Sequence, residues 1–425
     1  MTAAGPASPV IGRMTRVRWI VLGLVFLATT LNYLDRLVMG ILAPDLQARY
    51  EISNVEYGYI QSTFAFCYAV GQLISGGLLD RFGTRVGYAV ALAAWSATSM
   101  LHALARGPLA FGIVRGLLGL SESPAFPAAT KTLAEWFPRR ERAFAFGFVN
   151  AGTNMGAILA PAVVPWLAVT YGWQWAFAGT GLLGFLWLAL WLPLYRKPRE
   201  HPRVSAAELA LIESDPPETA VHVPWRELLR YRQTWAFAVG KFLTDSMWWF
   251  YMTWLPKFLH DRHGLDLLQM GLPLVAIYVM ADLGSIAGGF LSSTMIRNGS
   301  SVNRARKTAL VICAVGVLPI AFAQAVNGMW TAVLILGLAT AAHQGFSTNL
   351  YTLVSDLFPK RAVASVAGIG GTFGYGGASL FQLLVGYLVV GSHPNYVVPF
   401  ICASVAYLIA VFAIHLLAPR LTPAG

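Results

Sequence analysis

The chain has 425 residues, of which 56% are hydrophobic and only 12% are charged, and its mean hydropathy is +0.59. A soluble protein carries about 25% charged residues, so this composition excludes an ordinary water-soluble domain. The net charge of +11 would suit nucleic acid, but the basic residues lie between apolar runs, and no nucleic-acid partner is expected.

The apolar residues form runs close to the length of about 20 residues with which a helix crosses a bilayer. Short alternating segments would indicate a transmembrane barrel instead. The sequence therefore predicts an all-α polytopic membrane protein, with twelve transmembrane helices in two six-helix bundles. The predicted spans are 18–42, 57–79, 86–105, 108–134, 143–168, 173–195, 233–257, 269–296, 307–325, 329–354, 362–389 and 396–418.

Basic residues in the loops between these spans predict the orientation. When the loops are numbered alternately, one side holds 22 Lys and Arg residues and the other side holds four. The side rich in Lys and Arg faces the cytoplasm, so both termini are expected there, in a multi-pass protein of the inner membrane. We expect a monomer in the lipid bilayer, with residues 1–12 as a disordered leader.

A polar, proline-rich stretch divides the twelve spans six and six. Ser205 and Glu208 within it have the spacing of a helix capping box, which predicts a short surface helix. The predicted organisation is an N-terminal bundle over 1–195, a cytoplasmic linker over 196–232 and a C-terminal bundle over 233–425.

The two halves look related in sequence. Phe-Pro-Arg-Arg at 137–140 recurs as Phe-Pro-Lys-Arg at 358–361, an offset of 221 residues. At the same offset Gly147 matches Gly368. This register indicates a duplicated six-helix unit, and in transporters built from such repeats the substrate site lies near the midplane between the halves.

Four charged residues fall inside apolar runs. Asp35 and Arg36 lie in the first span, and Arg115 and Glu122 lie two helical turns apart in the fourth. At about 1.5 Å of rise per residue, Asp35 and Arg36 lie at a depth between the other two. We therefore expect Asp35 to pair with Arg115 and Arg36 to pair with Glu122, if the two helices touch.

An ionised group at the bilayer centre costs about 2.5–3.5 kcal/mol on insertion scales. A fixed ion-pair staple is one explanation of the four charges, but buried pairs add little stability because desolvation cancels their attraction. A functional role is favoured, since guanidinium groups bind carboxylates bidentately and two buried carboxylates suit proton binding.

A second pair of charges lies in the seventh span. Lys241 and Asp245 stand at i, i+4 spacing, which places them on one helix face. Two readings stay open: the residues form an internal pair, or Lys241 meets the carboxylate of a ligand from the second half.

The loop between the second and third spans carries a recognisable pattern. Gly-Gly-Leu-Leu-Asp-Arg-Phe-Gly-Thr-Arg at 76–85 resembles the signature loop of the major facilitator superfamily, and the six-plus-six layout agrees with that family over nearly the whole chain. The resemblance implies a gating loop formed by Asp80, Arg81, Gly83 and Arg85.

That loop also departs from the family pattern at one position. Thr84 stands where many members carry a basic residue. The counterpart in the second half, near 289–306, has no acidic residue of its own, so an asymmetric gate is expected.

A narrower resemblance rests on Asn-Tyr-Leu-Asp-Arg at 32–36, Arg115 with Glu122, and Glu-Trp-Phe-Pro at 135–138. These motifs resemble the anion:cation symporter branch, which takes up organic anions such as sugar acids. The resemblance implies that Asp35 and Glu122 carry protons. It implies a substrate site that includes Tyr33, Arg36, Tyr68 and Arg115, with Thr153, Asn154 and Asn349 as further candidates for hydroxyl contacts. Lys241 remains the substrate-binding candidate for the carboxylate from the second half.

The seventh and eighth spans carry Lys-Phe-Leu-Thr-Asp at 241–245, Trp-Trp at 248–249 and Ala-Asp-Leu-Gly at 281–284. This sequence most resembles the hexuronate transporters, which take up glucuronate and galacturonate. Aldonate or aldarate carriers are the alternative. The expected function is proton-coupled symport of such a small organic anion into the cell, with the proton as the coupling ion and without a cofactor. No metalloprotease motif of the His-Glu-x-x-His type occurs, and an enzyme is not expected.

Overall fold

The computed structural model describes residues 14–215, 225–390 and 394–421, and every regular element in these ranges is a helix. The predicted leader over 1–12 lies outside the described residues. The helices are α1 (Val17–Ile41), α2 (Ala43–Tyr50), α3 (Asn54–Leu101), α4 (Gly107–Glu122), α5 (Ala125–Trp136), α6 (Arg139–Tyr171), α7 (Trp173–Leu194), α8 (Ala206–Ile212), α9 (Trp225–Leu228), α10 (Arg232–His263), α11 (Gly271–Arg297), α12 (Val302–Val317), α13 (Met329–Leu357), α14 (Lys360–Leu388) and α15 (Val397–Leu417).

Helices lie at all twelve predicted spans, as the all-α prediction requires. Within the described ranges, eight helical stretches are long and apolar enough to cross a membrane. One of these, which consists of α3 and the 3₁₀ turn after it, covers both the second and the third predicted spans. The remaining three spans correspond to α4 with α5, to α10 and to α14.

Two local breaks shape the N-terminal half. Gly83 has φ 72° and ψ 162° inside α3, a conformation that side-chain-bearing residues rarely adopt, so the chain turns there between two spans. The fourth span breaks at Pro124, which has no N–H to donate to the carbonyl of Leu120. The hydroxyl of Ser123 donates to that carbonyl at 2.8 Å instead, and α4 ends at Glu122.

The two bundles meet most closely at one end of the molecule. We call the end that holds the linker the linker face, and the end that holds residues 42–54 the far face. In the described part of the chain, residues 54–62 of α3 form a group of hydrogen bonds to the C-terminal bundle. These bonds join Asn54 to Val389, Tyr57 to Thr253, Tyr59 to Tyr387 and Ser62 to Ser379.

Small residues let the backbones approach at the same end. A Cβ on Gly58 would lie 2.8 Å from the carbonyl oxygen of Gln382, and a Cβ on Gly40 would lie 2.9 Å from that of Met252. Small residues at such crossings are typical of packed membrane helices. The far face is therefore sealed by close backbone contact as well as by hydrogen bonds.

The linker helix α8 docks onto the beginning of α1. The buried carboxylate of Glu208 accepts hydrogen bonds from the backbone N–H groups of Val17 and Arg18, each at 3.1 Å, and from the hydroxyl of Thr15 at 2.6 Å. Ser205 caps α8 itself by accepting from the N–H of Glu208, as its spacing predicts. A carboxylate at a helix N-terminus satisfies orphan donors and complements the helix dipole.

Replacing Glu208 with alanine should lower the stability of the N-terminal half by about 1.5–3 kcal/mol, because charge-assisted hydrogen bonds to buried donors are lost. The measurement is thermal unfolding of the purified protein in detergent. Glu213→Ala is the matched control, since Glu213 pairs with Arg199 on the exposed surface of the same linker. Equal unfolding temperatures for the two variants would contradict the capping role.

Candidate functional site

The centre of the molecule holds a buried ion pair between α1 and α4. Arg36 donates from Nε at 3.1 Å and from Nη2 at 2.9 Å to the same carboxylate oxygen of Glu122. Nη2 also donates to the side-chain oxygen of Asn32, one turn earlier, at 3.0 Å. Arg36 is 4% exposed and Glu122 is not exposed, so the pair that the sequence predicts forms away from water.

The backbone of α4 is held against α3 so that Glu122 reaches α1. Gly119 packs on α3 so closely that a Cβ there would lie 2.4 Å from the carbonyl oxygen of Phe64. The break after Glu122 ends the helix at that residue. The small residue and the break together set the height and the direction of the carboxylate.

The other predicted pair, Asp35 with Arg115, does not form. Asp35 accepts a hydrogen bond from Ser99 of α3 at 3.1 Å, on the side of α1 that faces away from Arg36. Arg115 donates from Nη2 to the backbone oxygen of Arg36 at 2.9 Å and to Gln61 at 3.2 Å. Adjacent helix positions point about 100° apart, so Asp35 reaches Ser99 while Arg115 lies against the backbone of Arg36.

Aromatic rings from both bundles surround the guanidinium of Arg36. Its carbon lies 4.8 Å from the ring centre of Tyr33, 5.0 Å from that of Tyr68 and 5.3 Å from that of Trp249, which belongs to α10. Tyr375 of α14 stacks on Tyr68 with ring centres 4.1 Å apart. The first three rings attract the cation through their faces, Tyr375 packs behind them, and we call the four residues the aromatic cage.

Lys241 and Asp245 form the internal pair that was one of the two readings. Their Nζ and Oδ2 atoms lie 2.6 Å apart, and Nζ lies 4.3 Å from the ring centre of Tyr351. Lys241 is 4% exposed. A ligand that binds Lys241 must therefore compete with a carboxylate already in place.

Three further candidates lie outside the central contacts. Thr153 and Asn154 are half-buried on α6, where the Thr153 hydroxyl donates to the backbone oxygen of Asn150 at 2.6 Å. Asn349 is buried between helices, and its amide donates at 2.9 Å to the backbone oxygens of Gly288 and Gly345. The structure thus uses the Asn349 amide in packing between α11 and α13.

The predicted gating loop docks onto α5. Asp80 pairs with Lys131 at 2.6 Å, and Thr84 donates to Glu135 at 2.6 Å. Arg85 donates to the backbone oxygen of Leu192 on α7. Arg81 is exposed and lies beside the ring of Phe82, while Gly83 forms the turn.

The second half has an acidic partner that the sequence prediction missed. Arg306 pairs with Asp356 at 2.9 Å and donates to Ser292 at 2.8 Å. Asp356 lies near the end of α13, about 50 residues beyond the 289–306 segment in which an acidic partner was expected to be absent. At the repeat offset of 221 residues Asp356 matches Glu135, so both halves carry an acid at this position.

Several residues of the site had no individual sequence signal. Trp249, Tyr375 and Phe64 are aromatic residues among many in the spans, and only the fold brings them to Arg36. Two polar residues could have been found. Asn32 stands four residues before Arg36, and Gln61 is a polar amide within an apolar span.

Buried charges enclosed between two similar helical bundles are typical of membrane transporters. The family model of the Major Facilitator Superfamily matches residues 25–382, and the chain belongs to this family. It is therefore a multi-pass membrane transporter with the twelve-helix fold of that family, and not an enzyme.

The chain is also similar to individual named transporters and to a solved structure. The chain is 33% identical over 390 residues to the hexuronate transporter of Escherichia coli K12, covering 90% of each chain. It is 30% identical to the D-galactonate transporter of Escherichia coli O6:H1, covering 88% of this chain and 90% of that one. Among solved structures it resembles a bacterial homologue of the human lysosomal transporter Spinster in an inward-facing, occupied conformation, with a TM-score of 0.76 at 17% identity over 95% of this chain and 97% of that one.

Gly119→Ala should destabilise the protein by about 1–3 kcal/mol and separate Glu122 from Arg36, because the new methyl group meets backbone atoms that have no room to move. Gly112→Ala on the same helix is the control: no other heavy atom lies within 4 Å of the added Cβ. Alanine there should be neutral or stabilising by about 0.5–1 kcal/mol. Thermal unfolding separates the two, and a Gly119 variant as stable as the Gly112 variant would refute the packing argument.

Proposed function

We propose that the protein is a proton-coupled symporter that carries a hexuronate into the cell by alternating access. The observation that carries the proposal is the buried Arg36–Glu122 pair, with aromatic rings from both bundles around the arginine. A guanidinium at this position can bind a carboxylate that enters between the bundles once Glu122 releases it. We further propose an inner-membrane location with both termini in the cytoplasm, as the Lys and Arg bias indicates.

The charge balance of the centre favours coupling to protons. Among the charged residues of the centre, the acids Asp35, Glu122 and Asp245 are equal in number to the bases Arg36, Arg115 and Lys241. The centre is therefore neutral when all six groups are ionised. A substrate carboxylate adds one negative charge in a medium of low dielectric, and a proton on one of the acids restores neutrality.

We assign the roles as follows. Glu122 and Asp35 are the proton sites. Glu122 is the more direct, because protonation weakens its hold on Arg36 and frees the guanidinium for the ligand. The aromatic cage and Arg36 line the substrate site. Arg115 is buried behind them and supports the site by binding the backbone of Arg36.

Hexuronates are proposed as the substrate because the relative at 33% identity is a hexuronate transporter. The alternative is an aldonate or aldarate, since a D-galactonate transporter matches nearly as well, at 30% identity. Hexuronates and aldonates offer one carboxylate for Arg36 and several hydroxyls, and aldarates carry a second carboxylate. Thr153 and Asn154 on α6 and Lys241 on α10 are the side chains proposed to distinguish them. The transporter is proposed to act as a monomer without a cofactor.

The function is tested by reconstituting the purified protein into lipid vesicles and measuring uptake of radiolabelled galacturonate, glucuronate and galactonate. An inward proton gradient should drive accumulation of a hexuronate above equilibrium, and a protonophore should abolish it. Uptake indifferent to the gradient would exclude proton coupling. Accumulation of galactonate alone would move the assignment to the alternative class.

Glu122→Gln should abolish gradient-driven accumulation and retain exchange of labelled for unlabelled substrate, because the amide imitates a permanently protonated acid. Loss of at least tenfold in accumulation is expected, with exchange within about threefold of the unsubstituted protein. Glu56→Gln is the control, since Glu56 is a carboxylate at the surface that caps α3. If accumulation survives in the Glu122 variant, Glu122 does not carry the coupled proton.

A further inference from the structure

A continuous line of hydrogen bonds runs from Arg115, which binds the backbone of Arg36, to the far-face seal. Arg115 donates to Gln61 Oε1 at 3.2 Å, Gln61 Nε2 donates to the Tyr57 hydroxyl at 2.8 Å, and that hydroxyl donates to the backbone oxygen of Thr253 at 2.9 Å. We propose that Gln61 and Tyr57 are positioning residues that tie the orientation of Arg115 to closure of the far face. The inference rests on the proposed transport function.

The direction of donation along this line follows from which groups can donate a hydrogen bond and which can accept one. A guanidinium can only donate, so the oxygen of Gln61 must face Arg115 and its nitrogen must face Tyr57. The Tyr57 oxygen then accepts, and its own proton is left for Thr253. All three bonds therefore run in one direction, and such bonds polarise one another in a medium of low dielectric.

Both intermediates are shielded from water. Tyr57 is not exposed and Gln61 is 2% exposed. If the far face opens, Tyr57 loses its acceptor on the other bundle while Gln61 and Arg115 stay buried. Water at the opened interface replaces this acceptor only in part, so the bond to Thr253 favours the sealed state by the net free energy of one buried hydrogen bond.

The line ends at residues that hold the C-terminal bundle together. Thr253 exchanges hydrogen bonds with the amide of Gln382 on α14, at 2.8 and 3.1 Å. Gln382 also accepts from Trp254 at 2.6 Å. The Tyr57 hydroxyl thus reaches the point where α10 and α14 are joined, and not a mobile side chain.

Coupling of this kind acts in both directions. If closure of the far face helps to hold Arg115, then Arg115 in its observed orientation must help closure by the same free energy. Arg115 also donates to the backbone oxygen of Arg36, the proposed substrate-binding arginine. Arg115 is therefore connected both to the substrate site and to the far-face seal. Removing a connection should therefore alter both conformational balance and substrate affinity.

Tyr57→Phe is the first test, because it keeps the ring that packs on Trp254 and removes only the hydroxyl. Tyr59→Phe is the matched control. Tyr59 also bonds across the far face, to Tyr387 at 2.9 Å, but it is exposed and has no connection to Arg115.

The readout is maleimide labelling of Ser379→Cys, a buried position in the seal, in a background with Cys67, Cys313 and Cys402 replaced by alanine. Labelling from the far side should be about tenfold faster with Tyr57→Phe, as expected for one lost buried bond, and unchanged with Tyr59→Phe. Equal labelling rates in the two variants would overturn the proposal.

Gln61→Leu provides a second test that leaves Tyr57 and its bond to Thr253 in place. Affinity for the substrate should fall about tenfold in both the Gln61 and the Tyr57 variants, and it should be unchanged in the Tyr59 variant. Thermal unfolding first confirms that each variant is folded. A Gln61 variant with unaltered affinity would overturn the link to Arg115.

These outcomes are separable from failure of the proposed function. If the unsubstituted protein transports no sugar acid, the proposed function is wrong, and the labelling comparison still decides whether Tyr57 holds the seal. If transport is proton-coupled and the Tyr57 and Tyr59 variants behave alike, the function stands and the positioning role is wrong.

Discussion

The ion pair between Arg36 and Glu122 is the constraint on which the rest of the central architecture depends. Two charges without contact with water are tolerated only with good geometry and additional hydrogen bonds, and leaving one of them unpaired costs about 3–5 kcal/mol. The chain meets this demand with a glycine crossing at Gly119, a helix break at Pro124 and a second acceptor at Asn32. Each of these features supports the contact between Arg36 and Glu122.

The same pair links electrostatics to the arrangement of the bundles. Both partners lie in the N-terminal bundle, but Trp249 and Tyr375 of the aromatic cage belong to the C-terminal one. Any separation of the bundles at this level removes aromatic faces from the arginine and admits water. A change in the charge of Glu122 therefore alters the contact that both bundles share, which is what coupling of a proton to a conformational change requires.

Sequence reasoning located Arg36 beside Glu122 because helix rise and span direction fix depth. It failed for Asp35, whose direction depends on which helix packs on the other side of α1, and it missed Asp356, which is adjacent to Arg306 only in three dimensions. The role of Asn349 is likewise not determined by the sequence alone. A polar residue in a span can serve a ligand or a neighbouring backbone, and composition does not distinguish them.

The repeat clarifies why movement should concentrate at the centre and the far face. Glu135 and Asp356 are equivalent acids, held by Thr84 and Tyr195 in the first half and by Arg306 in the second. The partners differ in charge, yet in both cases they lie in the same half as the acid. These contacts make each bundle rigid without joining the two. Hydrogen bonds of Asn54, Tyr57, Tyr59 and Ser62 join the bundles at the far face, so a rocking motion that opens this face must break those bonds and can leave the linker-face networks intact.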